Sequence, residues 1–100
     1  MSKLVYFSFE QFCETVNLPG DRVQYIVELG ILTPKGEQPE EWQFDADMLS
    51  TARRAQQLHR QLEVDWPGVA LALQLLEQID NLKSENQQLR QRLARFIDEL

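Results

Sequence analysis

The chain has 100 residues, of which 43% are hydrophobic and 26% charged, and this predicts one compact domain with an extension. The net charge of -6 falls mainly on residues 1–66, whose 11 acidic and 6 basic side chains disfavour non-specific nucleic-acid binding. A single cysteine excludes an intramolecular disulfide, and the lack of a signal peptide or of about 20 successive apolar residues predicts a cytoplasmic location.

The N-terminal residues predict a short strand and then a first helix. Residues 3–7 are rich in strand formers, and Ser8 starts a capping-box pattern that Gln11 completes three residues later. A helix over residues 9–16 is expected to follow, because its apolar side chains recur at helical spacing. Cys13 lies on that apolar stripe, so we expect it to be a buried core residue and not a nucleophile.

A helix-turn-helix is predicted from the segment that comes next. Residues 17–20 read Asn-Leu-Pro-Gly, which is a turn by composition, and a second helix is expected over residues 21–29. Gly30 suits the left-handed conformation that ends many helices. The apolar residues 31–34 then leave this helix as an extended stretch.

The middle of the chain predicts a wing and a third helix. Residues 35–41 are polar and contain glycine and proline, which indicates a loop, and residues 41–44 alternate as a strand does. This strand would pair with the residues around Leu32 or with the N-terminal strand to form a small wing. Asp45 is a suitable N-cap for a third helix over residues 46–62.

A long helix is predicted from Pro67 to the end of the chain, with Asp65 capping its start. Its apolar residues recur at alternating steps of three and four, which is the spacing of a coiled-coil seam. The seam consists of Ala72, Leu75, Ile79, Leu82, Asn86, Leu89, Leu93, Phe96 and Leu100. We expect the six members from Ile79 to Phe96 to form the seam of a homodimer, in either orientation.

The two halves of this helix differ in composition. Residues 69–76 are apolar at seven of eight positions, which predicts burial on several sides against the three-helix body. Beyond Ile79 only the seam is apolar. Asn86 would pair across a dimer seam and fix its register, or it would be a solvated position in a seam that packs antiparallel or on the partner protein.

No pattern of catalytic or ligand-binding residues is present, so we expect neither an enzyme nor a metal or other cofactor. His59 is the only histidine and no glycine-rich phosphate loop occurs. Five acidic side chains cluster in the loop and at the start of the third helix: Glu37, Glu40, Glu41, Asp45 and Asp47. This cluster fits a basic partner and a solvated loop equally well. Trp42 is equally an interface anchor or a junction residue, whereas for Trp66 we expect a junction.

The order of helix-turn-helix, Gly-x-Leu-x-Pro, wing, helix and long helix resembles the head of MerR-type transcription regulators. The likeness is carried by Phe9 to Cys13, Glu28 to Pro34 and Phe44. It implies a mainly α fold, with a winged helix-turn-helix head at 1–66 that includes a small β wing, and a long C-terminal coiled-coil helix at 67–100. Two phosphate-contacting arginines of those regulators are missing, where the chain has Gln24-Tyr25-Ile26 and Trp42-Gln43-Phe44.

A chain-wide resemblance to the CbpM family of chaperone modulators is more specific. It is carried by Trp42-x-Phe44-Asp45, by Leu62 to Leu73 with its Asp-Trp-Pro-Gly block, and by the zipper from Leu82 to Phe96. The resemblance implies a small bacterial protein, without cofactor, that binds the J-domain of CbpA and inhibits the co-chaperone and DNA-binding activities of that DnaJ homologue. Because J-domains present a basic helix to Hsp70, an acidic modulator would compete with Hsp70 for it.

Two functions therefore compete. The first is a J-domain-binding regulator that is a homodimer, has no direct nucleic-acid or membrane partner, and uses Glu40, Glu41 and Asp45 as acidic contacts around Trp42 as apolar anchor. If the loop is not the contact surface, the alternative is the second helix around Tyr25 and Glu28, or the long helix. The second is a MerR-type DNA-binding transcription regulator, whose binding would fall steeply with salt. The missing arginines and the acidic loop favour the first function.

Overall fold

Four α-helices form the framework of the computed structural model, which describes residues 5–100. They are α1 at Phe9–Val16, α2 at Gly20–Glu28, α3 at Ala46–Leu62 and α4 at Trp66–Glu99. One turn of 3-10 helix lies at Pro39–Glu41, between α2 and α3. The predicted mainly helical fold is confirmed, and residues 3 and 4 of the predicted N-terminal strand lie outside the described residues.

Side-chain caps begin three of the helices as expected. The Ser8 hydroxyl accepts a hydrogen bond from the Gln11 N–H at 3.2 Å, and the Gln11 side chain accepts one from the Ser8 N–H at 2.9 Å. Asp45 and Asp65 each accept a hydrogen bond from the backbone N–H three residues later, at 3.0 Å in both cases. These bonds satisfy amides that have no partner within the helix, so they set where α1, α3 and α4 begin.

Gly30 ends α2 in the way that the sequence predicts. Its φ of +82° is left-handed, and its N–H donates to the carbonyl of Val27 at 2.9 Å. The Ile31 N–H donates to the carbonyl of Ile26 at 3.2 Å, which completes a Schellman motif. α2 is therefore closed at its C-terminus by backbone geometry that favours glycine.

A small core joins the helices around two stacked aromatic rings. Phe12 and Phe44 are fully buried, with ring centroids 4.2 Å apart and planes at 15°. The buried apolar residues are Phe12, Val16, Val23, Ile26, Leu32, Phe44, Ala52, Ala55, Trp66 and Val69. One compact unit ends at Ala70, and Leu71–Leu100 forms a second unit. The core belongs to the first of these units.

The predicted β wing is replaced by two isolated antiparallel bridges within residues 5–100. Lys35 pairs with Gln43, and Phe7 pairs with Phe44 through hydrogen bonds of 2.7 and 2.9 Å. Successive amides of an extended chain point to opposite edges, so Gln43 and Phe44 bond to different neighbours. The Lys35–Gln43 pairing stops after one residue pair, because the chain turns away at Gly36 towards the 3-10 helix.

Two expectations about burial need correction. Cys13, predicted to be buried, is only half-buried. In α4, Val69 is fully buried, but Leu71 and Leu75 are 56% and 49% exposed. The predicted burial of residues 69–76 on several sides therefore holds at the start of the segment only.

Candidate functional site

The acidic loop, residues 36–45, is held in shape by one glycine. Gly36 has a φ of +109°, and a Cβ atom there would lie 2.5 Å from the carbonyl oxygen of Glu41. Only a residue without a side chain allows that approach. The Glu41 carboxylate also accepts a hydrogen bond of 3.3 Å from the Glu37 N–H, so it closes the loop on itself.

Trp42 packs against two aromatic rings of the head. Its ring lies 5.7 Å from that of Phe9 at 79°, and 6.1 Å from that of Phe44 at 87°, both edge-to-face arrangements. The side chain is half-buried. Trp42 therefore joins the acidic loop to α1 and to the core, while part of its ring remains accessible.

The four predicted partner-binding residues differ in what else they do. Glu41 closes the loop, Trp42 packs against two aromatic rings, and the half-buried Asp45 caps α3. Glu40 is exposed, and it lines a cavity of about 300 Å³ together with Phe9 and Glu10. Of the four, Glu40 is the residue whose charge is most freely available to a partner.

Sequence analysis missed Glu10 as a neighbour of this site. Glu10 and Glu40 are 30 positions apart, and no local pattern connects them. They come together because α1 packs on the 3-10 helix that carries Glu40.

Lys35 is the only basic residue between Ile31 and Ala52, and it donates a hydrogen bond of 2.9 Å to the Tyr6 hydroxyl. This bond raises the pKa of Lys35.

The predicted dimer seam is exposed along α4. Leu82, Leu89, Leu93 and Phe96 are each 59–64% exposed, and Ile79 is 45% exposed. The Asn86 side-chain oxygen accepts a hydrogen bond of 2.8 Å from the Arg90 guanidinium. A groove of about 420 Å³ follows this stretch, and its lining residues are Ile79, Leu82, Lys83, Asn86, Gln87 and Arg90.

The remaining candidate groups have structural roles. Burial raises the pKa of the Cys13 thiol, which disfavours the thiolate that a nucleophile needs. His59 stacks on Trp66 with centroids 4.3 Å apart, and its Nδ1 lies 2.7 Å from the carbonyl oxygen of Val64. Since a carbonyl only accepts, Nδ1 carries the proton. Trp66, 6% exposed, is a junction residue as expected.

Residues 5–100 were compared with the requirements of a metal site and of a membrane-spanning helix. Among residues 5–100, no three histidine, cysteine or acidic side chains come together in a way that would hold a metal ion. No helix within that range is both long and apolar enough to cross a membrane.

Comparisons with known proteins identify the family. Residues 7–91 match the family described as MerR HTH family regulatory protein. The chain is 47% identical over 93 residues to the chaperone modulatory protein CbpM of Pseudomonas putida strain W619, covering 93% of this chain and 92% of that protein. It is 41% identical, with the same coverage, to the chaperone modulatory protein CbpM of Salmonella paratyphi B. Neither description is that of an enzyme. The chain therefore belongs to the family of the chaperone modulatory protein CbpM, and over residues 7–91 to the MerR-type helix-turn-helix regulators.

Proposed function

We propose that this chain is a cytoplasmic regulatory protein that binds the J-domain of a CbpA-type DnaJ-like co-chaperone. By occupying the basic helix of that domain it competes with Hsp70, and it thereby inhibits the co-chaperone; it restrains the DNA binding of the co-chaperone as well. The observation that supports this most is the similarity over 93% of the chain to proteins named as chaperone modulators. The acidic loop adds a surface of the right charge.

The acidic loop would act mainly through long-range attraction. Glu40, Glu41 and Asp45 place three carboxylates within six positions of a loop that has no basic side chain of its own. The adjacent Lys35 already bonds to Tyr6. Complementary charges speed the encounter of two proteins and select the partner, more than they raise affinity. The accessible part of Trp42 then provides an apolar contact between these carboxylates.

A second candidate, a MerR-type DNA-binding regulator, is favoured by one specific observation, the family match over residues 7–91. Duplex DNA binding depends on neutralising phosphates with basic side chains. In this chain the acidic loop has the opposite charge, and α2 has Arg22 as its single base against Asp21 and Glu28. The electrostatics of the head therefore support a protein partner over DNA.

The proposed function is tested by measuring the binding kinetics of the full chain with an isolated J-domain of a CbpA-type co-chaperone. Native chain should bind, and excess Hsp70 should compete. Glu40→Lys should slow association and flatten its salt dependence, because exposed rim charges act mainly on the on-rate. Glu77→Lys is the matched control, since it makes the same charge change at an exposed position of α4 outside the seam. Trp42→Ala should raise the off-rate, provided that circular dichroism shows native helicity.

Failure of the native chain to bind the J-domain would overturn the proposal. Protection of a defined operator by the chain alone at physiological salt would favour the DNA-binding alternative. If the J-domain binds and Glu40→Lys behaves like Glu77→Lys, the acidic loop is the wrong surface and the function stands.

We further propose that two copies associate through α4, along the seam of Ile79, Leu82, Asn86, Leu89, Leu93 and Phe96. Five of these six side chains are apolar and at least 45% exposed in a single chain. Exposed apolar side chains that recur at this spacing along a helix are typical of a coiled coil.

A further inference from the structure

α2 is the second helix of the helix-turn-helix, and the proposed function leaves its outer face unused. In DNA-binding relatives of this motif the second helix enters the major groove. Here Val23 and Ile26 are buried on one side, with 0% and 1% exposure, and Asp21 and Glu28 are exposed on the other. The outer face of α2 therefore presents two charged side chains to solvent.

Tyr25 lies at the centre of this face. Its side chain is 40% exposed, and it comes four residues after Asp21 and three before Glu28, so the three side chains share one side of the helix. An exposed tyrosine between two carboxylates combines an aromatic anchor with a polar rim, which is the pattern of a protein-binding hot spot. The ring also attracts lysine and arginine side chains through its π face.

The charge of this face decides between a nucleic acid and a basic protein. Two carboxylates flank Tyr25 and one base, Arg22, accompanies them, which is repulsive toward phosphates. The same arrangement attracts a cationic helix. The proposed partner presents such a helix, so its charge complements that of the face.

The usual size of a protein–protein interface also favours a contact surface on α2. A stable interface takes about 20–30 residues from each partner, and it is organised around a few central anchors. The acidic loop offers four candidate residues, and its aromatic member, Trp42, is half-buried against Phe9 and Phe44. A further exposed surface of the same charge with its own anchor would add to the contact area that the acidic loop offers.

We propose that the outer face of α2, formed by Asp21, Tyr25 and Glu28, is a docking surface for the basic helix of the J-domain, with Tyr25 as its aromatic anchor. This inference rests on the proposed function and deepens it. The helix-turn-helix would then serve protein recognition with the face that related proteins use on DNA.

The framework of α2 makes this surface suitable for mutation. The helix is closed at its C-terminus by the Gly30 motif and attached to the head by Val23 and Ile26. Substitutions at the exposed positions 25 and 28 leave those contacts intact, so the variants should fold.

The test measures binding of the isolated J-domain to the native chain and to four variants, each checked for native helicity. Tyr25→Ala should raise the off-rate about tenfold, the effect of losing an aromatic anchor worth about 1.4 kcal/mol. Tyr25→Phe should retain most of the affinity, because the ring remains. Glu28→Lys should slow association and flatten its salt dependence, whereas Glu77→Lys, the matched control on α4, should do so less.

The outcomes separate the two proposals. If the native chain binds the J-domain and folded Tyr25→Ala and Glu28→Lys variants bind with native rates, the inference about α2 is wrong and the proposed function stands. If the native chain does not bind, both are wrong. Weaker binding of Tyr25→Ala to duplex DNA, with unchanged J-domain binding, would likewise overturn the inference in favour of DNA recognition.

Discussion

Gly36 is the residue on which the shape of the acidic loop depends most. Its φ of +109° disfavours every residue with a side chain, and the carbonyl of Glu41 occupies the space that a Cβ atom would need. Gly30 also has a positive φ, but a Cβ atom there would meet nothing within 4 Å. A side chain at Gly30 would therefore cause backbone strain alone, whereas a side chain at Gly36 would cause both backbone strain and a steric clash.

Gly36→Ala should destabilise the head more than Gly30→Ala. Gly30→Ala introduces only left-handed strain, about 1 kcal/mol, whereas Gly36→Ala adds the clash with Glu41 and should exceed that amount. Urea unfolding followed by circular dichroism measures both free energies. An equal or smaller loss for Gly36→Ala would show that the loop rearranges without penalty.

At the scale of elements, the start of α3 links the acidic loop to the helical body. Asp45 belongs to the proposed partner surface, yet its carboxylate accepts a hydrogen bond from the Met48 N–H at 3.0 Å. A change at this residue can therefore act through stability as well as through charge. Asparagine is also a good N-cap, and it allows the two effects to be separated.

Asp45→Ala should lower the free energy of unfolding by about 1 kcal/mol, because an amide at the start of α3 loses its partner. Asp45→Asn should stay close to native stability while it removes the charge. Chemical denaturation of the two variants provides the comparison. If the alanine and asparagine variants are equally stable, the cap contributes nothing measurable and Asp45 is available to the partner alone.

At the scale of the whole molecule, the second compact unit lacks a core of its own. Leu71–Leu100 forms that unit, and its seam residues from Leu82 to Phe96 are exposed in a single chain. Soluble monomers seldom expose so long an apolar stripe. The proposed association through the seam would remove this surface from water, in either orientation of the helices.

Leu89→Asp should dissociate the proposed dimer. A carboxylate placed in the seam loses hydration in each chain, so the dissociation constant should rise at least about tenfold. Sedimentation at micromolar concentration measures it. Gln88→Asp is the matched control, because it adds the same side chain next to the seam and should leave the dimer intact. A native chain that is monomeric at high concentration, with α4 folded, would contradict the proposal.

The sequence by itself determined the helices of this protein, because their ends are local events. Ser8, Asp45 and Asp65 cap amides three positions away, and Gly30 closes α2 through bonds within its last turn. Such interactions span only a few residues, so spacing predicts them. The chain-wide resemblance to CbpM was likewise readable from motifs.

Only the tertiary structure decided how the acidic loop pairs with other segments and which side chains lie next to its carboxylates. The wing became two isolated bridges because Gln43 and Phe44 bond to Lys35 and Phe7, which lie in separate segments. Glu10 and Glu40 lie beside the same cavity only because α1 packs on the 3-10 helix. Contacts between residues far apart depend on how all elements pack together, and no local spacing encodes them.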